Sequence, residues 1–94
     1  MTVDEYFRNG WKAEKITAGA AETKTVHAGR CLLGRLAVAT AVITVTPKDD
    51  ATELAEAQTN AAVLNIGLTP IRIETSLKLT FSGAGDAWVI YKVV

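Results

Sequence analysis

The sequence predicts an all-β domain: an antiparallel β-sandwich or jelly-roll-like body of about six to seven short strands, preceded by an extended N-terminal arm. Three observations carry this reading. From Ile71 to Phe81 the odd positions are Ile, Ile, Thr, Leu, Leu and Phe and the even ones Arg, Glu, Ser, Lys and Thr, the period of two that sets one side of a strand on a core and the other in water. Val42-Ile43-Thr44-Val45-Thr46 is β-branched throughout, as strands prefer. Turn residues interrupt the apolar segments at intervals of about eight to twelve residues, with little sign of helix between them.

Composition narrows the choice further. A chain of 94 residues forms one domain with a high surface-to-volume ratio, so association is a common route to stability. Ala and Val make up much of the 49% apolar share, which suits a thin two-layer body better than a deep ligand-binding core. Ten basic and ten acidic side chains cancel and are scattered, which gives no electrostatic footprint for nucleic acid. The single cysteine, Cys31, has no intrachain disulfide partner. With no basic-then-apolar leader and no apolar run of the roughly 18 to 20 residues that span a bilayer, the expectation is a protein of the cytoplasm, or of a particle assembled there, without a membrane partner.

Residues 1–21 form the arm and residues 22–94 the sandwich in this division. The arm holds Tyr6, Phe7 and Trp11, half of the aromatic residues, and has no helical or alternating period of its own. Such a segment either lies across its own sandwich or docks into a neighbour, where aromatic anchors supply most of the binding energy. Glu22 to His27 then reads as a short polar strand stopped at Ala28-Gly29. Arg30 to Val38 follows, with Leu32, Gly34, Leu36 and Val38 on one face and Cys31, Leu33, Arg35 and Ala37 on the other. Gly34 inside it marks a bulge or a close backbone approach.

The β-branched strand ends at Pro47, and Asp50-Ala51-Thr52-Glu53 has capping-box spacing, so a short helix competes with a loop after it. Ala61 to Ile66 is a further strand, closed by Gly67-Leu68-Thr69-Pro70. Ile71 to Phe81 and Ala87 to Val94, joined through Ser82-Gly83-Ala84-Gly85-Asp86, complete a hairpin. The closing strand is nearly apolar on both faces, with Trp88 and Ile90 on one and Val89 and Tyr91 on the other. A strand of that kind is either central in a stack of layers or covered by another subunit.

Chemistry is sparse. His27 with Cys31 and Glu22 is the one nucleophile arrangement to test, yet the thiol sits in an apolar strand where it is inert filler. Asp49, Asp50 and Glu53 offer oxygen ligands to a hard cation but lack the Gly-turned loop of a calcium site. The two glycines of Ser82 to Asp86 precede a strand, whereas a phosphate loop precedes a helix. No catalytic residue, metal or cofactor is expected.

The segment Thr23 to Val38, the Val-Ile-Thr-Val strand with its Asp-containing loop, Leu68-Thr69-Pro70, and Leu77 to Gly83 with Ala87-Trp88-Val89-Ile90-Tyr91 together resemble the small β-sandwich virion proteins of tailed bacteriophages. The likeness covers Glu22 to Val94. It implies a structural component of a virion or phage-like particle that decorates the head or forms the base of a spike or fibre. Such proteins work through symmetric contacts with copies of themselves, commonly as trimers, and with a major capsid or other virion protein. Tyr6, Phe7, Trp11, Trp88 and Ile90 are then the docking residues. The alternative on the same body is a small carbohydrate- or ligand-binding module, which requires at least two exposed aromatics on one face.

Overall fold

The computed structural model of the chain describes residues 10–60, 63–65 and 70–94. Among them are nine strands and no helix: β1 (Trp11–Ala18), β2 (Glu22–Ala28), β3 (Cys31–Val38), β4 (Val45–Asp49), β5 (Thr52–Glu53), β6 (Val63–Asn65), β7 (Ile71–Ile73), β8 (Ser76–Phe81) and β9 (Gly85–Val93). They form two antiparallel sheets. One has the order β1-β9-β3-β6, with β7 also paired to β3, and the other the order β2-β8-β4-β5. The strand count exceeds the expected six to seven because the first segment joins the sheet and the Ile71–Phe81 segment divides.

The sheets pack through a shared apolar core, as a sandwich-like body does. Leu36, Val38 and Ala87 from the first sheet meet Val45, Leu79 and Phe81 from the second, and Cys31, Leu33, Ile73, Val89 and Tyr91 meet Leu77. Half-buried Ile16 and Val26 bridge the two clusters. Every one of these β9 residues is odd-numbered, so the inner face of β9 follows from alternation alone.

Several local expectations are corrected. Trp11–Ala18 is not arm but an edge strand in register with β9, from Trp11 opposite Lys92 to Ala18 opposite Gly85. Its pattern was hidden because an edge strand carries Lys12 and Glu14 on the side that Ile16 and Ala18 use for the core, one of the devices that keep edges from pairing further. The β-branched strand is shifted: it runs Val45–Asp49, through Pro47, while Val42 is 91% exposed. Pro47 is tolerated because its backbone faces the short edge, where its carbonyl accepts from Leu54 N at 2.9 Å and no ladder donor is required of it. Of the helix and the loop weighed after Pro47, the non-helical course is the one taken: Asp50-Ala51 is the turn between Asp49 and Thr52, with Asp50 at φ 55°, a left-handed conformation that Asp accepts more readily than most residues.

A further correction concerns the expected hairpin. β8 lies in one sheet and β9 in the other, so Ser82 to Ala84 arches between layers and does not close a ladder. The Ile71–Phe81 alternation is also broken at Glu74-Thr75, where the chain leaves β7 in one sheet and enters β8 in the other. The cause is local and polar. Asp49 Oδ2 accepts from Glu74 N at 3.0 Å, and Oδ1 accepts from Thr75 N at 3.0 Å and Ser76 N at 3.2 Å. These donors, Glu74 N foremost, hold the Asp49 carboxyl below its usual range.

Gly34 fulfils both readings given to it. The β3–β9 register shifts between Leu33 and Arg35, so Cys31 and Leu33 point inward before it and Leu36 and Val38 after it. The face expected from strict alternation, Leu32 with Leu36 and Val38, is therefore corrected by a bulge. A Cβ on Gly34 would also stand 2.7 Å from the Trp11 ring.

Candidate interaction face

The outer side of β1-β9-β3 is assembled by register. Lys92 lies opposite Trp11 and Leu32, Ile90 opposite Ala13 and Arg35, and Trp88 opposite Lys15 and Ala37. Directly opposed residues share a face, and all of these alternate with the buried Val89 and Tyr91. The Trp11 indole crosses β9 on this side and ends against Gly34, which explains why the bulge residue has no side chain. Beyond it, Ala13, Arg35, Ala37, Trp88 and Ile90 line a shallow depression of ≈ 270 Å³. Its floor is apolar because two alanines leave room beside a large ring.

Trp88 is 50% exposed and Ile90 is half-buried, so an aromatic and a branched aliphatic side chain stand side by side on a solvent-facing sheet. Lys15 and Arg35 flank them and form no ion pair among the described residues. The face is thus apolar in the middle and positive at its sides. Aromatic rings beside a guanidinium suit a partner that brings its own apolar side chain with carboxylates next to it.

Of the five residues expected to dock, the structure brings Trp11, Trp88 and Ile90 to this one face. Tyr6 and Phe7 lie outside the described residues. Sequence reasoning missed Ala13, Arg35 and Ala37. Arg35 and Ala37 had been assigned to the side of Leu33, and only the bulge at Gly34 returns them to the side of Trp88. The spacing of β1 against β9, which brings in Ala13, left no local signal.

The residues tested for chemistry do not converge. Cys31 is fully buried, and burial, then the Asp49 charge, pushes its thiol up to about 11, the reverse of an activated nucleophile. His27 packs toward Tyr91, with ring centroids 6.1 Å apart. The Tyr91 hydroxyl donates to Glu14 Oε2 at 3.1 Å, and burial, then that bond, raises the phenol above its usual range. Asp50 accepts from Lys78 Nζ at 3.0 Å, so both members of the Asp49-Asp50 pair are engaged in holding turns and strands. Among the described residues no three His, Cys, Asp or Glu side chains group as metal ligands would. Trp88 is the one exposed aromatic among them, since Trp11, Phe81 and Tyr91 are buried.

The chain matches no protein-family model, no curated protein and no solved structure.

Proposed function

We propose that this chain is a structural component of a phage or phage-like particle, carried in the virion and assembled in the host cytoplasm. It decorates the capsid, or forms the base of a spike or fibre, through symmetric contacts with copies of itself and with a shell protein. The observation that carries the reading is the outer side of β1-β9-β3: an exposed Trp88 beside Ile90 over two alanines, in a body where Cys31 is buried and Asp49 and Asp50 hold a turn and a strand. A surface of this kind is suited to a macromolecular contact and offers no reaction centre.

The strand order supports the finer reading of the body as a jelly roll. β1 pairs with β9, β2 with β8, β3 with β6 and β7, and β4 with β5, as in one long antiparallel ribbon whose tip is the β4–β5 turn. Folding that ribbon over places successive pairs in alternate layers. Capsid and lectin domains are among the users of this arrangement, and since fold alone does not fix function, the exposed face bears the weight of the choice.

The test mixes the purified chain with phage shells assembled from a major capsid protein, and measures the fraction that sediments with them. Binding that saturates at a fixed ratio to the shell's symmetry axes, and that Trp88→Glu removes, is the expected result. A chain that stays in the supernatant at every ratio would overturn the reading.

A further inference from the structure

We infer that the open edge of β1 is a seam on which a second copy of this chain adds its own β1, antiparallel and centred on Ala13, so that two β1-β9-β3 sheets become one. The pairing rests on the proposed association with copies of the chain, and it gives that association a surface apart from the Trp88 face.

Among the described residues, every other edge of the two sheets is blunted. β5 has two residues, β6 and β7 have three each, and β2 carries a register shift between Thr25 and His27. β1 is eight residues long and keeps an unbroken register with β9 from Trp11 to Ala18. No described strand pairs with its other side, where alternate residues turn N–H and C=O groups outward. Its guard is charge alone: Lys12 and Glu14 on the inner side and Lys15 on the outer, all exposed.

That guard rejects most pairings and admits one. Opposed residues of an antiparallel pair share a face, so a two-fold axis through the seam must pass through a residue of β1. Centred on Lys12, Glu14 or Lys15, it sets a charge against its own copy, which is destabilising. Centred on Ile16, it sets Glu14 against Ala18 and Lys15 against Thr17, with no opposite charges paired. Centred on Ala13, it sets each Lys12 against Glu14 of the second copy, twice over, with two small methyls at the axis.

The carboxylate is already positioned for this. Tyr91 donates to Glu14 Oε2 at 3.1 Å, which holds the side chain and leaves Oε1 to accept from an incoming lysine. Lys12 forms no ion pair among the described residues. Trp11, Lys12, Ala13, Glu14 and Tyr91 line an open hollow of ≈ 480 Å³ along the edge, room for the side chains of an added strand.

The axis runs perpendicular to the joined sheet, so both Trp88 faces end on the same side. A shell protein then meets two copies of the contact surface at once, and the second engagement is intramolecular.

Sedimentation velocity on the full chain tests the seam by charge exchange. The expected result is a dimer whose dissociation constant rises about tenfold or more in Lys12→Glu and again in Glu14→Lys, each with unchanged circular dichroism. An equimolar mixture of these two variants should regain the dimer, because each then faces its opposite. Mixing also covers a loss of the Tyr91 bond, which charge complementarity alone would not restore in Glu14→Lys by itself. Ala13→Cys, at the axis, should cross-link into dimers under mild oxidation, since native Cys31 is fully buried. Trp88→Glu should leave the dimer intact. Dimers that form without binding shells would support the seam and overturn only the particle reading. A chain that stays monomeric up to about 1 mM, a mixture that does not pair, or a dimer lost with Trp88→Glu but kept in Lys12→Glu would each overturn the inference.

Discussion

The outer faces of the two sheets are built to different rules. On the β2-β8-β4 side, Thr23, Thr46 and Thr80 lie in one row and Thr25, Lys48 and Lys78 in the next, with Thr23 and Thr80 sharing a hydrogen bond of 2.9 Å between hydroxyls. Short hydroxyls and a lysine row hydrate readily and pair poorly with another sheet. On the β1-β9-β3 side the corresponding rows are Lys15-Trp88-Ala37 and Ala13-Ile90-Arg35, with a large apolar side chain at the centre of each and a cation at one end. Both sheets contribute fully buried side chains to the core, Leu33, Leu36 and Val89 from one and Leu77, Leu79 and Phe81 from the other, so the core does not require this asymmetry. The difference teaches that one side of the domain is finished as a water surface and the other as a contact surface.

That contrast can be broken at the core they share. Phe81 belongs to β8, is 1% exposed, and touches residues of both layers. Phe81→Ala is expected to cost about 3–5 kcal/mol, the transfer term plus the cavity, and to unfold much of the population at moderate denaturant. Equilibrium denaturation checks it, and a loss under about 1 kcal/mol would mean the layers do not depend on one core.

Next in size is the close approach beneath Trp11. Gly34→Ala places a methyl 2.7 Å from the ring, so either the indole lifts or the bulge shifts, at a cost of about 1–3 kcal/mol. The same substitution in a Trp11→Ala background should cost far less, and the coupling in that double-mutant cycle measures how firmly the ring lies on β9.

Asp49→Ala follows. Its carboxylate takes three backbone donors at the crossing from β7 to β8, in a partly solvated position, so removal is expected to cost about 1–2 kcal/mol at neutral pH. The sign of the pH dependence is fixed by the direction of the shift. Because the folded carboxyl titrates below its ordinary 3.8, the stabilisation is complete above that value and is lost as pH falls through the lower folded one. The two proteins should therefore converge in acid, and a difference that persists there would assign the loss to packing.

How much of this was legible in the sequence depends on the range of the interaction. The inner residues of β8 and β9 follow from alternation, and Gly34 announced its bulge because an interior glycine has few other uses in a strand. The pairing of Trp88 with Ile90 on one face was likewise readable from period two. Which sheet each strand joins was not, because the switch at Glu74-Thr75 is held by Asp49, a residue 25 to 27 positions earlier. β1 was missed for another reason. Its apolar residues are divided between Trp11 and Ala13 on the outside and Ile16 and Ala18 on the inside, so no single face dominates the pattern.

The smallest effect on stability is the one that bears most on function. Trp88→Ser removes a side chain that is half in water already, so stability should change by no more than about 0.5 kcal/mol. The matched change on the polar sheet, Thr46→Ser, should be similarly quiet. What separates them is the surface each belongs to: Trp88→Ser should lose sedimentation with the shells while Thr46→Ser keeps it. If both variants bind equally, an exposed tryptophan over two alanines has no partner that needs it, and the asymmetry between the faces must be explained from within the chain.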